Sequence, residues 1–421
     1  MTTAAHLAEL DVVSSRLDQL LATGGLRSVV QPIVDLDSGS VVAHEALLRG
    51  PRDSGWETPD ALLEAARSAG RVEDLDLVSL RSGIEHIADR SPGGPTTLFL
   101  NIEPRTLTHY LDRMLGVLAE RPSSLQIVVE LTERALTAAP AVVVAGAERL
   151  RAAGCAIALD DIGAGPQALA FIPVLRPEVV KLDMRLLRSV RDLDTMTVAH
   201  AVRAYAESSG AEVVAEGVET ETDRTRALVL GATLGQGWYF GRPDPEPRAT
   251  SPEAHRFRPG PLGHALSGTP FERLGPAARI QAAPTSLLLP ISRTLELTAM
   301  QVRVPPLMLS CFQHHARFTP RTARTYGELG ARLPLVAAFG VDMPEHPVAG
   351  VRGVRLDPGD PLVREWTVVV LGAHESVALV ARDLGDFDVP DGERRFEFAV
   401  THDPLTVAAA AHTLIGRMPE G

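Results

Sequence analysis

Short apolar runs alternate with amphipathic stretches through the first 240 residues of this 421-residue chain, and the alternation leaves few folds open. Strand-like runs are Ser28–Val34, Val41–Leu48, Thr97–Asn101, Leu125–Leu131, Ala156–Asp160, Val179–Leu182 and Glu212–Ala215, with a short one near Ala232–Leu234. Between them, Pro59–Ala69, Asp74–Ala88, Leu107–Glu120, Val142–Ala153, Asp194–Ser209 and Glu219–Leu230 carry helical spacing. Strands separated by helices make a parallel sheet, and about eight of them predict a closed barrel. The first pair departs from the rule, because only Asp35 to Ser40 lie between its members. No crossover helix fits there, so the pair is expected to be an antiparallel hairpin. The expected fold is α/β: a modified (β/α)8 TIM-like barrel with an antiparallel first strand pair, followed by a smaller α+β domain.

A barrel gathers its strand ends on one face, so polar residues far apart in sequence meet there. Glu45, Asn101, Glu130, Asp160, Asp161, Lys181, Glu216 and Glu219 stand in or just after such runs. Taken singly, Glu45 would be a surface carboxylate and Asn101 a turn former before Pro104. Glu130 is harder to dismiss, since it sits in the otherwise apolar "VVELTE". Two adjacent carboxylates in "ALDDIGAG" suit more than helix capping, and Lys181 in "VVKLD" is costly to bury without an anionic partner. Crowded carboxylates repel one another unless divalent cations intervene, so the run of residues points to a metal-dependent enzyme. Oxygen donors of this kind select hard cations over zinc.

Net charge of −12 disfavours a partner such as polymeric nucleic acid, which needs a basic face. Cys155 and Cys311 fall in different candidate domains, so a disulfide framework is not expected and a cytoplasmic location fits. No apolar stretch reaches the roughly 20 residues of a membrane span. Along the chain, residues 1–25 predict an N-terminal helix, 26–245 the barrel, 246–282 a Pro/Gly-rich linker and 283–421 the α+β domain. In that last part, helices are expected near Ser286–Met300 and Pro404–Met418. Strands are expected near Leu307–Phe312, Leu335–Phe339, Gly350–Arg355, Trp366–Leu371, Ser376–Arg382 and Arg395–Val400.

From Gln31 to Pro243 the runs "QPI", "EALLR", "FLNIEP", "ELTE", "ALDDIGAG", "KLD", "AEGVE" and "GQGWYFGRP" occur in order. Together they resemble the EAL-domain family of cyclic-di-GMP phosphodiesterases. The resemblance implies two Mg²⁺ or Mn²⁺ ions, with Ca²⁺ expected to inhibit. Glu45, Asn101, Glu130 and Asp160 would hold the first ion, and Asp160 and Asp161 the second. It implies that Lys181 orients the attacking water and that Glu216 binds through water or helps as a base. Gln31 would meet a guanine, Arg49 a phosphate, and Glu219 and Gln236 would support the substrate. Glu133 would anchor the loop after Asp161. The implied reaction is hydrolysis of cyclic-di-GMP to linear pGpG, by a homodimer.

One stretch departs from the family pattern, which usually reads "DDFGxGYSSL" where this chain has "DDIGAGPQAL" at 160–169. Ile162, Pro166, Gln167 and Ala168 are the changed positions. The change keeps open a non-hydrolysing cyclic-di-GMP receptor that signals through a partner protein. The C-terminal part resembles the DICT sensory domain through "SRTLE" (292–296), "FQHHARFTPRTARTYGELG" (312–330) and "DPLVREWTVVVLGAHESVALVARDL" (360–384). That resemblance implies an input role for an unknown small-molecule or protein signal. Trp366 and Tyr326 are candidates to line a ligand pocket, with core packing the expected alternative. Adjacent His314 and His315 have no third ligand at useful spacing and are expected to be exposed polar residues.

Overall fold

A computed structural model describes residues 2–23, 25–90, 95–163, 166–251, 257–259, 266–373, 375–386 and 388–419. The chain divides into two compact units. One holds Met1–Ala135, Gly146–Gly163 and Pro177–Leu262; the other holds Leu136–Ala145, Ala164–Arg176 and Gly263–Gly421.

In the first unit, eight strands close a barrel in chain order: β1 (Arg27–Asp35), β2 (Val41–Arg49), β3 (Thr96–Asn101), β4 (Leu125–Thr132), β5 (Ala156–Ile162), β6 (Val179–Leu182), β7 (Glu212–Ala215) and β8 (Leu234–Gln236). The expected hairpin is present, with β1 antiparallel to β2 and Gln31 directly opposite Glu45. From β2 to β8 every neighbouring pair is parallel. Closing the ring therefore sets β8 antiparallel to the reversed β1.

Local chemistry fixes the ends of these elements. Helix Pro59–Ala69 starts where the Thr58 hydroxyl accepts from the Ala61 N–H, and stops at Gly70 in the left-handed region. The single helix expected over Leu107–Glu120 is instead two, Pro104–His109 and Leu111–Ala119, broken where Tyr110 turns to φ −128°. Asp76 accepts from the Glu103 N–H and the Thr106 hydroxyl, which ties down the first of the two. In the N-terminal helix Thr2–Thr23, Leu17 is fully buried among Leu26, Leu62 and Leu75.

Ile33, Ala43, Phe99, Val128, Ala158, Val179, Val214 and Leu234 form a dry core from all eight strands. Phe257 joins it edge-on to Phe99, with ring centroids 5.3 Å apart. This aromatic comes from the stretch expected to be linker.

The second unit is a seven-stranded mixed sheet. Its strands are β9 (Gln281–Pro284), β10 (Leu307–His314), β11 (Val336–Val341), β12 (Arg352–Arg355), β13 (Glu365–Leu371), β14 (Ser376–Asp383) and β15 (Arg395–Thr401), in the spatial order β12-β11-β10-β13-β14-β15-β9. Helix Thr285–Gln301 connects β9 to β10, and helix Pro404–Ile415 follows β15. Only β10–β11 and β11–β12 are parallel. Edge strand β9 was not expected: four residues with two exposed alanyl and glutaminyl neighbours carry no period-2 signal. Cys155 and Cys311 are buried free thiols, while His314 and His315 are exposed. Within this unit His412 Nε2 lies 2.7 Å from the Val174 carbonyl, and Arg352 donates to the Thr137 carbonyl at 3.1 Å. Stretches that follow β4 and β5 in the chain thus belong to the second unit. No helix among the described residues is long and apolar enough to cross a membrane.

Candidate functional site

Strand register builds the site. Asn101 at the end of β3 pairs with Glu130 on β4, and Thr132 on β4 pairs with Asp160 on β5. Lys181 lies opposite Val214 on β7. Glu216 follows β7 and its N–H bonds to the Leu182 carbonyl at 3.0 Å.

Lys181 is the hub. Its Nζ lies 2.6 Å from Glu130 Oε1, 2.7 Å from Glu216 Oε1, 3.4 Å from Asp160 Oδ1 and 3.7 Å from Glu45 Oε2. Burial alone would push this ammonium down, but the charges of Asp160, Glu130, Glu216 and Glu45 raise it well above its ordinary value. It is a fixed cation rather than a base.

The carboxylates do not share that cation equally. Burial pushes Glu45 up, yet Lys181 and amide donors outweigh it and hold the group below its usual range. Those donors are Asn101 Nδ2 at 2.7 Å and Gln236 Nε2 at 2.6 Å. Glu130 fares worse: burial, then the Glu45 charge, drive it well above the carboxylate range against the pull of Lys181. It meets the ammonium as an ion pair, but among the described residues neither oxygen has a well-aligned hydrogen-bond donor. Burial raises Glu216 to about 8. Burial and the Asp160 and Asp183 charges raise Asp161.

Asp161 sits at φ 61°, a left-handed conformation that Asp tolerates better than most residues. Its N–H bonds to Asp160 Oδ1 at 2.8 Å. Ligand atoms of Asp160, Asp161 and Glu216 lie within 4.8 Å of one another. A buried Glu130 carboxyl short of donors, surplus negative charge around one ammonium and an all-oxygen donor set fit hard divalent cations.

The cleft above is about 450 Å³ and is lined by Gln31, Glu45, Asp161, Glu216, Glu219 and Gln236, together with Asp183, Met184 and Trp238. Its floor is held by close backbone approach. Gly237 adopts φ 153°, and a Cβ there would fall 2.2 Å from the Val218 carbonyl oxygen. In return Val218 donates to the Gln236 carbonyl and accepts from Tyr239, both at 3.0 Å. Glu219 is fixed just before a helix whose Thr220–Asp223 capping box sets its start.

Glu45, Asn101, Glu130, Asp160, Asp161, Lys181, Glu216, Gln236 and Gln31 are brought together. Glu219 reaches the cleft wall. Arg49 does not line the cleft; its guanidinium donates to the Leu48 carbonyl at 2.9 Å. The Glu133 side chain lies outside the described residues. Asp183 and Trp238 line the cleft without having been singled out. Asp183 caps helix Met184–Arg188 by accepting from the Arg185 N–H at 2.7 Å. Both stand in the quoted "KLD" and "GQGWYFGRP" runs, and the available signal was their place directly after β6 and β8.

The EAL domain family model matches residues 14–243. Residues 271–384 match the DICT model, described as a sensory domain in diguanylate cyclases and two-component systems. The "Probable cyclic di-GMP phosphodiesterase PdeB" of Escherichia coli (strain K12) is 32% identical over 227 residues, 51% of this chain and 42% of that protein. "Cyclic di-GMP phosphodiesterase RocR" of Pseudomonas aeruginosa is 30% identical over 234 residues, 54% of this chain and 59% of that protein. The chain thus spans about half the length of the curated relatives it matches. Among solved structures, the PaMucR phosphodiesterase in complex with c-di-GMP is 26% identical at a TM-score of 0.48, covering 55% of this chain and 97% of that one.

Proposed function

The chain belongs to the EAL domain family, and from that premise we propose that it hydrolyses one phosphodiester of cyclic di-GMP to give linear pGpG. The observation that carries this reading is the convergence of Glu45, Glu130, Asp160 and Glu216 on the single ammonium of Lys181. One lysine cannot offset that charge, and a substrate with two phosphates would be repelled. Two divalent cations, Mg²⁺ or Mn²⁺, held by Glu45, Asn101, Glu130, Asp160 and Asp161 would offset the pocket and acidify the attacking water.

The chain's own groups supply the rest. Lys181, fixed as a cation, donates to and orients the water. Glu216 borders the cleft beside Lys181, and its carboxylate oxygen, once ionised, is placed to take the proton of the water. Gln31 presents an amide at the cleft wall for a guanine edge. Gln236 holds Gln31 and Glu45 in register through its Nε2, at 3.2 and 2.6 Å. Arg49, half-buried, would need to leave the Leu48 carbonyl to meet a phosphate. The C-terminal unit acts as a sensory input; the stretch Ala164–Arg176, which begins three residues after Asp161, belongs to that unit, and this supports such coupling.

Product analysis with cyclic di-GMP and Mn²⁺ tests the proposal. The expected result is pGpG, abolished by EDTA and lost almost completely in Asp160→Ala. Ligand binding with no pGpG would replace hydrolysis by the receptor reading, traced to the altered Pro166–Ala168 positions.

A further inference from the structure

The second unit contains a cavity that the barrel chemistry does not use. It measures about 380 Å³ and lies between helix Thr285–Gln301, the end of β10, the start of β13 and helix Pro320–Gly330. Its size is that of a small-molecule site.

Leu289, Leu297, Phe312 and Trp366 give it apolar walls. Arg293 and Arg321 stand at its exposed rim, and neither forms an ion pair among the described residues. Arg317 is also present but is engaged with Asp391 at 3.3 Å. The one carboxylate in the lining, Glu296, accepts from the Ser292 hydroxyl at 3.3 Å. Burial raises it, against the Ser292 hydrogen bond and the pull of Arg293 and Arg321, and even when ionised it is outnumbered by Arg293, Arg317 and Arg321. The cavity's balance of charge is therefore positive.

Gln313 is the second, independent observation. It is 3% exposed, lines the cavity, and its side-chain amide finds no hydrogen-bond partner among the described residues. Its polar atoms are open to the cavity, so a ligand group entering there is a partner for them in place of water. Its backbone adopts φ 65°, where the β10–β11 register slips between Cys311 and His314. A non-glycine residue held there is costly, and such outliers cluster at ligand sites.

We propose that this cavity binds a small organic anion with a flat apolar body. The body packs between Phe312, Trp366 and the leucines, the anionic end meets Arg293 and Arg321, and Gln313 supplies a directional hydrogen bond. Guanidinium groups suit this task, since their fork matches a carboxylate, sulfonate or phosphate. The inference rests on the sensory reading of the C-terminal unit and gives that unit a ligand class.

The test uses 8-anilinonaphthalene-1-sulfonate against N-phenyl-1-naphthylamine, the same ring pair without the anion, on the full chain by fluorescence titration. The sulfonate is expected to saturate at one per chain. The exposed-rim variant Arg293→Gln/Arg321→Gln should weaken it roughly tenfold or more while leaving the neutral probe unchanged. Glu296→Gln should tighten it. Binding without saturation, or equal sulfonate affinity in the double arginine variant, would overturn the site. Cleavage of cyclic di-GMP followed in parallel keeps the readings apart. Saturable, arginine-dependent binding with unchanged turnover upholds the cavity and removes its regulatory role. Loss of the binding result with turnover intact sinks the cavity and leaves the proposed enzyme standing.

Discussion

The barrel cleft and the cavity of the second unit solve opposite charge problems. In the barrel, four carboxylates crowd one ammonium and three more line the cleft, so an anionic substrate would need cations as intermediaries. In the second unit, guanidinium groups rim an apolar pocket and outnumber its carboxylate among the described residues, so an anion could bind directly. The barrel buries its charges and leaves Glu130 short of donors; the cavity keeps Arg293 and Arg321 at the surface and buries the neutral Thr285, Ser292 and Gln313. A charge that must grip a metal is worth burying, whereas one that must catch a diffusing anion is better left hydrated at a rim.

The contrast breaks first at Lys181. In Lys181→Met the cluster loses the cation at its centre, and Glu130 stays buried beside Glu45 and Asp160 without that counter-charge. Removing one partner of such a cluster costs about 3–5 kcal/mol. Thermal denaturation should show a lower midpoint for the variant without metal, and a larger rise on adding Mn²⁺ than the parent shows. Equal midpoints would mean that protons, not Lys181, already neutralise the cluster.

Asp76 sharpens the comparison, because it is a buried carboxyl of the barrel unit with no cation beside it. Burial raises it to about 7 from its ordinary 3.8, against donors from Thr106 and the Glu103 N–H. Between those two values the folded chain keeps a proton that the unfolded chain has released. Stability is therefore expected to fall as pH rises from about 4 to about 7, then level off. The loss is roughly 2–4 kcal/mol, and Asp76→Asn should flatten it. Urea denaturation at pH 5 and pH 8 reads the difference; a slope that survives in Asp76→Asn would assign it to other groups.

How far each site could be read from sequence follows from its geometry. In the barrel, the parallel strands β2 to β7 carry these polar residues in or just after otherwise apolar runs, so Glu45, Asn101, Asp160 and Glu216 stand out as polar breaks in the sequence. What stayed hidden were residues defined by backbone paths: Trp238 beside Gly237, Asp183 as a cap, and Phe257 arriving from a Pro/Gly-rich stretch to complete the core. The cavity has no such signature. Leu289, Ser292, Arg293, Glu296 and Leu297 share one face of a helix, but Gln313 depends on a register slip and Trp366 on the start of an antiparallel strand. Nothing in local sequence says that these three features meet.

Tyr326 and Trp366 show the same limit, and they yield the smallest of the expected effects. Both are aromatic candidates for a pocket, and the fold separates them. Trp366 is half-buried, edge-on to Phe396 and open to the cavity. Tyr326 is fully buried among Phe312 and Phe318, and its hydroxyl bonds to the Ser310 hydroxyl at 2.7 Å. Burial keeps that phenol neutral, its ionisation raised well above the ordinary value. Tyr326→Phe removes one neutral hydrogen bond and leaves the Ser310 hydroxyl short of a partner, at a cost of about 1–2 kcal/mol. Binding of 8-anilinonaphthalene-1-sulfonate should not change, because no atom of Tyr326 lines the cavity. A variant that keeps its stability but loses the probe would reverse the two roles: the floor of the cavity would then run through Tyr326, and Trp366 would be only its outer wall.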